Sequence, residues 1–375
     1  MFNRRLFLVA ILLSIPSLSL ASKKEKQKAP PVLSHVGFSV RQFNAPEGYN
    51  WRGSEERTLS AVIWYPSEAS ADEQDQAIGD PPLFLAGRAA KDASLAPSFG
   101  TYPLIALSHG TGGSALQMAW MGTYLAARGN IVVAVNHPGN NAVTGYTPQG
   151  FLEAWERAKD VSTVIDGMLA DRRFGSKIDR ERIGAAGFSL GGYTMLELAG
   201  ATTDFEGLVG WCEQPEHRAS CNPPEMPDLV DKFEAMKDRP EVRQSLQRAA
   251  DSYRDPRIKA IFAIAPAIAR AFHLESLKQI DIPVVIVAGA ADSIVPPTEN
   301  AQVFANNIKG AQLMILPGGV GHYTFLDVGT DLGRSKMPQF FADNPGVDRE
   351  AVHKQVAEMA GDFFEKQLAT PKKKK

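Results

Sequence analysis

The sequence predicts an α/β fold, with a mostly parallel central sheet, helices on both faces and a small helical insertion over one edge. Three observations predict it. Short apolar runs recur along the chain: "YPLIALSHG", "NIVVAVNHPG", "RIGAAGFS", "IKAIFAIAPA", "IPVVIVAGAAD" and "AQLMILPGG". Stretches of helical spacing lie between them, and buried strands alternating with helices specify a parallel sheet covered on both sides. The chain has 375 residues, 44% hydrophobic and 22% charged, enough for one large core that needs neither metal nor disulfide to hold it. No internal repeat is visible.

Taken in order, the N-terminus stands outside this fold. "MFNRR" is a basic start, "LFLVAILLSIPSLSL" is apolar, and "SLA" at 19–21 offers small residues to a signal peptidase. Residues 1–21 therefore read as a signal peptide. Pro16 and the small-residue site argue against a membrane anchor. "NRRLFL" resembles a twin-arginine signal, so Sec and twin-arginine routes both stay open for a periplasmic or secreted protein. Cleavage removes Arg4 and Arg5 and leaves a net charge of −4. A mildly acidic body gives no support for nucleic-acid binding. Residues 22–34, with "KKEKQK", and 368–375, with "KKKK", read as solvated basic tails.

The domain itself is expected over 35–367. Two strands, 36–43 and 58–65, flank a loop, and "HVGFSVRQF" alternates as a half-exposed strand does. Residues 66–100, rich in Pro, Gly, Ala and Asp, read as a long irregular connection. Helices are expected over 114–128, 150–170, from Leu190 onward and over 297–308. Residues 202–255 break the rhythm with both cysteines, several prolines and polar helical stretches, and read as a cap over the C-terminal edge of the sheet, where ligands of open α/β sheets bind. Cys212 and Cys221 flank a turn-rich stretch in an exported chain, so a disulfide is expected. Only His217 lies near them, too few ligands for zinc.

Gly187-Phe188-Ser189-Leu190-Gly191 fits G-x-S-x-G between a strand and a helix. A sharp strand-to-helix turn forces the serine into strained backbone angles, and only glycines fit two residues away on either side. Ser189 is thus the expected nucleophile, with the Leu190 amide aimed at an oxyanion. A serine of ordinary pKa needs a base. His322, in the glycine-rich "LPGGVGHYTF" after the last strand, is assigned that role. His353 reads as a surface residue of a polar helix. Asp292, at the end of "IPVVIVAGAAD", is the expected acid that orients the imidazole; Asp281 precedes the strand, and Asp327 is a distant alternative. "SHGTGGS" supplies a second donor, the amide of Thr111. His109 reads as a residue holding this loop, and "NHPGNN" as lining the site. His109, Gly110, Met118, Trp120, His137 and Trp211 are the candidate substrate-binding residues, with Leu116 beside them.

Together the elbow, the "SHGTGG" loop, "NHPGN", "DPRIKAIFAIAP" and "AGAADSIVPP…LPGGVGHYTFL" resemble the α/β-hydrolase superfamily. More narrowly they are similar to bacterial dienelactone-hydrolase-like proteins and the platelet-activating-factor acetylhydrolase group. The resemblance spans about 35–365 and implies hydrolysis of a carboxylic ester, carboxylesterase- or lipase-like, without a cofactor. Dienelactone hydrolases proper use a cysteine where this chain has Ser189, so their substrate is not carried over. In the acetylhydrolase group the acid follows the strand after the nucleophile; here "AIFAIAPAIARAF" has no acid at its end, which leaves Asp292. Triad chemistry serves an amidase, peptidase or thioesterase equally. A non-catalytic binding protein on this fold usually lacks a triad member, and none is missing here. The expected partner is a small-molecule or lipid ester met by a monomer, with no nucleic acid and no lasting membrane insertion.

Overall fold

A computed structural model describes residues 33–97 and 100–369. The proposed signal peptide and the lysine runs of both tails lie outside the described residues. The chain runs through β1 (His35–Phe43), β2 (Leu59–Ser67), β3 (Gln74–Ile78), β4 (Phe84–Lys91), β5 (Tyr102–Ser108), α1 (Ala119–Ala127) and β6 (Ile131–Val135). A small ribbon, β7 (Asn140–Asn141) with β8 (Gly145–Tyr146), leads to α2 (Pro148–Leu152), α3 (Arg157–Ala170), β9 (Ile178–Phe188) and α4 (Leu190–Leu198). Next come α5 (Phe205–Cys212), α6 (Leu229–Met236), α7 (Pro240–Leu246), β10 (Ile258–Ile264), α8 (Leu274–Leu277), β11 (Val284–Gly289), α9 (Ala301–Asn307) and β12 (Gln312–Leu316). The last elements are β13 (Val328–Gly329), α10 (Asp331–Lys336), α11 (Pro338–Phe341) and α12 (Arg349–Gln367).

Among the described residues one large sheet has the order β12-β11-β10-β9-β5-β6-β2-β1-β4-β13, with β3 paired to β4. From β6 to β12 every pairing is parallel; β2 joins β6 and β1 antiparallel. Strand alternation divides the core in two. Ile63 and Tyr65 of β2 pack with Val161 of α3, Leu196 of α4 and Phe304 of α9. Val62 and Trp64 face the other way, onto Met121 and Leu125 of α1 and Val356 of α12. Each large apolar side chain buried this way contributes roughly 1.5–3 kcal/mol.

The structure differs from the sequence expectation at several elements. Residues 66–100 are not irregular throughout: β3 and β4 form a hairpin that reaches β1 and β13. Gly79, Pro81 and Pro82 make its turn, and Gly87 inside β4 masks the strand pattern. The 114–128 helix begins as a 3-10 turn, Ala115–Met118, before α1. The 150–170 stretch is broken at Glu153, whose φ of −87° and ψ of 55° interrupt the helix between α2 and the turn before α3. α9 is shorter than 297–308, because Pro296 and Pro297 lie in a turn before it.

Residues 202–255 contain α5, α6 and α7. Cys212 and Cys221 are joined in a disulfide across a sequence separation of 9. Both ends of the segment are tied to the sheet layer: the Asp204 amide donates to Ala271 O (2.7 Å) and the Asp255 amide to Leu198 O (3.0 Å). Asp204 also caps α5 by accepting from the Gly207 amide (2.9 Å). Among the described residues no helix is long and apolar enough to cross a membrane.

Candidate active site

β9 turns into α4 through a single residue. Ser189 has φ 55° and ψ −117°, a conformation that costs a non-glycine residue on the order of 1–3 kcal/mol. Its amide is held by Ile264 O of β10 (2.8 Å). The flanking glycines follow from contact distances. A Cβ on Gly187 would lie 2.3 Å from Gly191 O, and one on Gly191 would lie 2.0 Å from Ser108 O.

Ser189, His322 and Asp292 converge from the ends of β9, β12 and β11. Ser189 Oγ lies 3.0 Å from His322 Nε2, and His322 Nδ1 lies 2.7 Å from Asp292 Oδ2. All three are buried. The second oxygen of Asp292 accepts from the amides of Ile294 (3.0 Å) and Val295 (2.7 Å). The aspartate thus closes the turn after β11 and holds the histidine at once. These donors keep a carboxylate in place, and the carboxylate fixes the imidazole with its proton on Nδ1, leaving Nε2 to accept from the serine. His322 sits in a 3-10 turn, His322–Phe325, against the ring of Phe188 (4.8 Å between centroids).

The loop after β5 passes beside the serine. A Cβ on Gly110 would lie 3.2 Å from Ser189 Cβ, so this glycine permits the approach. Thr111 and Leu190 both line a cleft of about 410 Å³, walled on another side by residues of α5 and α6. The amides of Thr111 and Leu190 have no hydrogen-bond acceptor among the described residues. Two free donors beside a buried hydroxyl and an imidazole are what nucleophilic attack on a carbonyl requires.

The residues proposed to bind substrate divide. Trp211 lines the cleft, with Phe205, Phe233, Trp155 and Tyr193. Met118 and Trp120 do not. Met118 is fully buried in the core on the α1 side, because the 3-10 turn rotates it inward. The Trp120 indole donates to Phe325 O (2.9 Å) and stacks on His353. His353 is itself buried, not a surface residue: α12 packs against the histidine turn, and His353 Nε2 donates to Thr324 O (2.8 Å). Leu116 packs against the same core.

His109 and His137 also lie away from the cleft, in a polar layer behind the loop. His109 Nδ1 donates to Gly110 O (2.7 Å). His137 Nδ1 donates to Asp160 (2.7 Å), and its Nε2 accepts from Ser108 Oγ (2.8 Å). Burial, with the Arg157 guanidinium nearby, lowers both imidazoles well below the ordinary histidine pKa, so both are neutral. "NHPGNN" braces the loop from behind: Asn136 Oδ1 accepts from the Ala115 amide and Asn140 Oδ1 from the Gly112 amide, each at 2.8 Å.

Sequence reasoning missed Arg157 and Asp160, both fully buried on α3. The available signal was two charges three residues apart on the same helical stripe as Val161 and Val164. Among the described residues, no three His, Cys, Asp or Glu side chains converge as metal ligands.

With this geometry in view, comparison with known proteins gives a consistent picture. Residues 105–332, more than half the chain, match the family model described as "Alpha/beta hydrolase family". A lipase 1 of Moraxella sp. (strain TA144) is 31% identical over 111 residues, 30% of this chain and 31% of that protein. A cutinase est1 of Thermobifida alba is 29% identical over 111 residues, 29% of this chain and 34% of that one. The chain thus spans about a third of the length of the curated relatives it matches. A solved ferulic acid esterase from Streptomyces cinnamoneus superposes with a TM-score of 0.61 at 21% identity, covering 92% of this chain and 96% of that one.

Proposed function

Since this chain belongs to the alpha/beta hydrolase family, we propose that it is an exported serine hydrolase of carboxylic esters. The observation that carries the reading is the relay from Ser189 Oγ through His322 to Asp292, 3.0 and 2.7 Å long, beside two amides that meet no acceptor among the described residues. Ser189 Oγ attacks the ester carbonyl as its proton passes to His322 Nε2. The amides of Thr111 and Leu190 stabilise the oxyanion. The C–O bond then breaks, and His322 returns the proton to the departing alcohol, leaving an acyl-serine. Water attacks the acyl carbonyl as His322 takes its proton; the bond to Ser189 Oγ then breaks, and His322 returns the proton to that oxygen, releasing the carboxylic acid and free Ser189. No cofactor enters any step.

The relatives, a lipase and a cutinase, and the solved ferulic acid esterase favour an ester over an amide. The cleft favours an apolar or aromatic acyl group: Phe205, Trp211 and Phe233 face it from the cap segment, and its volume lies in the range of small-molecule sites. The same proposal includes a signal peptide over 1–21, basic tails at 22–34 and 368–375, a cap over 202–255 within a 35–367 domain, and kinship with the dienelactone-hydrolase-like and acetylhydrolase groups. The disulfide supports export.

The test is hydrolysis of p-nitrophenyl esters, from acetyl to long acyl chains, by the mature protein beside Ser189→Ala. Serine-dependent turnover with a chain-length optimum supports the reading and sizes the acyl site. Turnover that survives in Ser189→Ala, or none on any ester by folded protein, overturns it.

A further inference from the structure

One fully buried guanidinium touches the supports of both oxyanion donors. Arg157, at the start of α3, donates through Nη2 to His109 O and to Ser108 Oγ (3.3 Å). Its Nη1 donates to Asn140 Oδ1 (3.2 Å), the same oxygen that accepts the Gly112 amide (2.8 Å). The residues on both sides of the Gly110–Thr111 peptide are therefore tied to one planar group. Arg157 Nε donates to Thr194 Oγ1 (3.2 Å), and Thr194 Oγ1 donates to Leu190 O (3.1 Å). The second donor residue is tied to the same group from the helix side.

Such an arrangement is costly to maintain. A buried charge gives up its hydration, and no carboxylate lies within ion-pair distance of Arg157 among the described residues. Asp160, three residues on, supports the charge from further away, and is itself engaged by Arg52 (2.6 Å) and His137 (2.7 Å). Five donors in a rigid plane suit several fixed acceptors as no lysine would. A positive charge behind amides that face a developing oxyanion also adds to their field in a site of low dielectric.

We infer that Arg157 is a positioning residue for the reaction: through Asn140, the His109 carbonyl and Thr194 it fixes the spacing of the Thr111 and Leu190 amides at which the oxyanion forms. This rests on the esterase reading above. Asn140 and Thr194 act as its two arms.

The experiment compares Asn140→Ala, Thr194→Val, Thr194→Ser and Arg157→Lys with the parent. Turnover of a p-nitrophenyl ester is normalised to active sites titrated to completion with a serine-directed phosphonate. Affinity is measured for a trifluoromethyl ketone, which forms an oxyanion on the serine without turning over. We expect kcat per titrated site to fall about tenfold or more in Asn140→Ala, Thr194→Val and Arg157→Lys, with KM changed less than about threefold. The ketone inhibition constant should rise in step with the loss of kcat/KM. Thr194→Ser, which keeps the hydroxyl, should recover most of the loss. A purely structural role would lower thermal stability or the titratable fraction and leave kcat per site and ketone affinity alone; that result overturns the inference. Where Arg157→Lys fails to fold, Asn140→Ala and the Thr194 pair decide. Absence of phosphonate labelling at Ser189 in the parent would overturn the esterase reading itself, and this inference with it.

Discussion

The imidazole of His353 lies flat on the indole of Trp120, with ring centroids 4.4 Å apart and planes 8° from parallel. Its Nε2 donates to Thr324 O, two residues past His322, so the stack on α12 holds the turn that carries His322. Burial pulls the His353 pKa down from 6.5 to about 4, with Arg349 opposing protonation and Thr324 O and Asp343 favouring it. The unfolded chain takes up the proton first as pH falls. The contribution of a neutral His353 is therefore complete above about pH 6.5 and is lost as pH falls through 4, up to about 3 kcal/mol. Thermal unfolding of the parent should fall more steeply between pH 6.5 and 4 than that of His353→Gln. Identical slopes would remove His353 from this role.

Asp292→Asn should fold, because its oxygen can still accept from the Ile294 and Val295 amides. Its amide N–H would then face His322 Nδ1, forcing the ring proton onto Nε2, where it cannot accept from Ser189. We expect kcat to drop by ~10⁴-fold with an unchanged circular-dichroism spectrum. A loss below tenfold would mean another group orients the histidine.

Glu153 breaks the helical stretch and is 1% exposed. One oxygen accepts from Asn50 Nδ2 (2.7 Å), and the other has no partner among the described residues. Burial pushes its pKa up from 4.5 to about 7. Here the folded state holds the proton more tightly, so stability present below pH 4.5 is lost as pH rises through 7, about 3 kcal/mol in all. Glu153→Gln should be more stable than the parent at pH 8 and no more stable at pH 4.5, by denaturant titration at both pH values. An equal gain at both would point to packing instead.

The cysteines line the cleft and close a short loop, whose cross-link contributes about 2–3 kcal/mol to local order. Reduction, or Cys212→Ser with Cys221→Ser, should cost kcat/KM on long acyl esters several-fold more than on acetyl esters. An equal loss on both would show that this wall does not meet the acyl chain.

The convergence of the three proposed triad residues was legible because the chemistry names residue types and strand ends name positions: Ser189, Asp292 and His322 each follow an apolar run that is a strand. The residues that hold the site were not. Arg157 reaches His109, 48 positions away, and His353 reaches Thr324, 29 positions away. A polar side chain on an inward stripe reads as a solvated one until its remote acceptor is known. Met118 and Trp120 lie outside the cleft for a different reason. They come just after the Thr111 loop, and nearness in sequence does not say which side of the 115–127 turn and helix meets the core. In β4, one glycine and the neighbouring prolines outweighed the alternation of Phe84, Leu85 and Ala86, which ends at Gly87.

The segment that carries α5, α6 and α7 is tied to the rest of the chain at both ends, through Asp204 to Ala271 and Asp255 to Leu198. Ser189, Asp292, His322 and the loop of Thr111 all lie outside it. Inheritance can therefore act on the two parts separately. A lineage can rewrite or exchange the 205–254 stretch, and with it one wall of the cleft, while the convergence of Ser189, His322 and Asp292 is passed down intact. For the same reason, this stretch is the natural unit to transplant between members of the family.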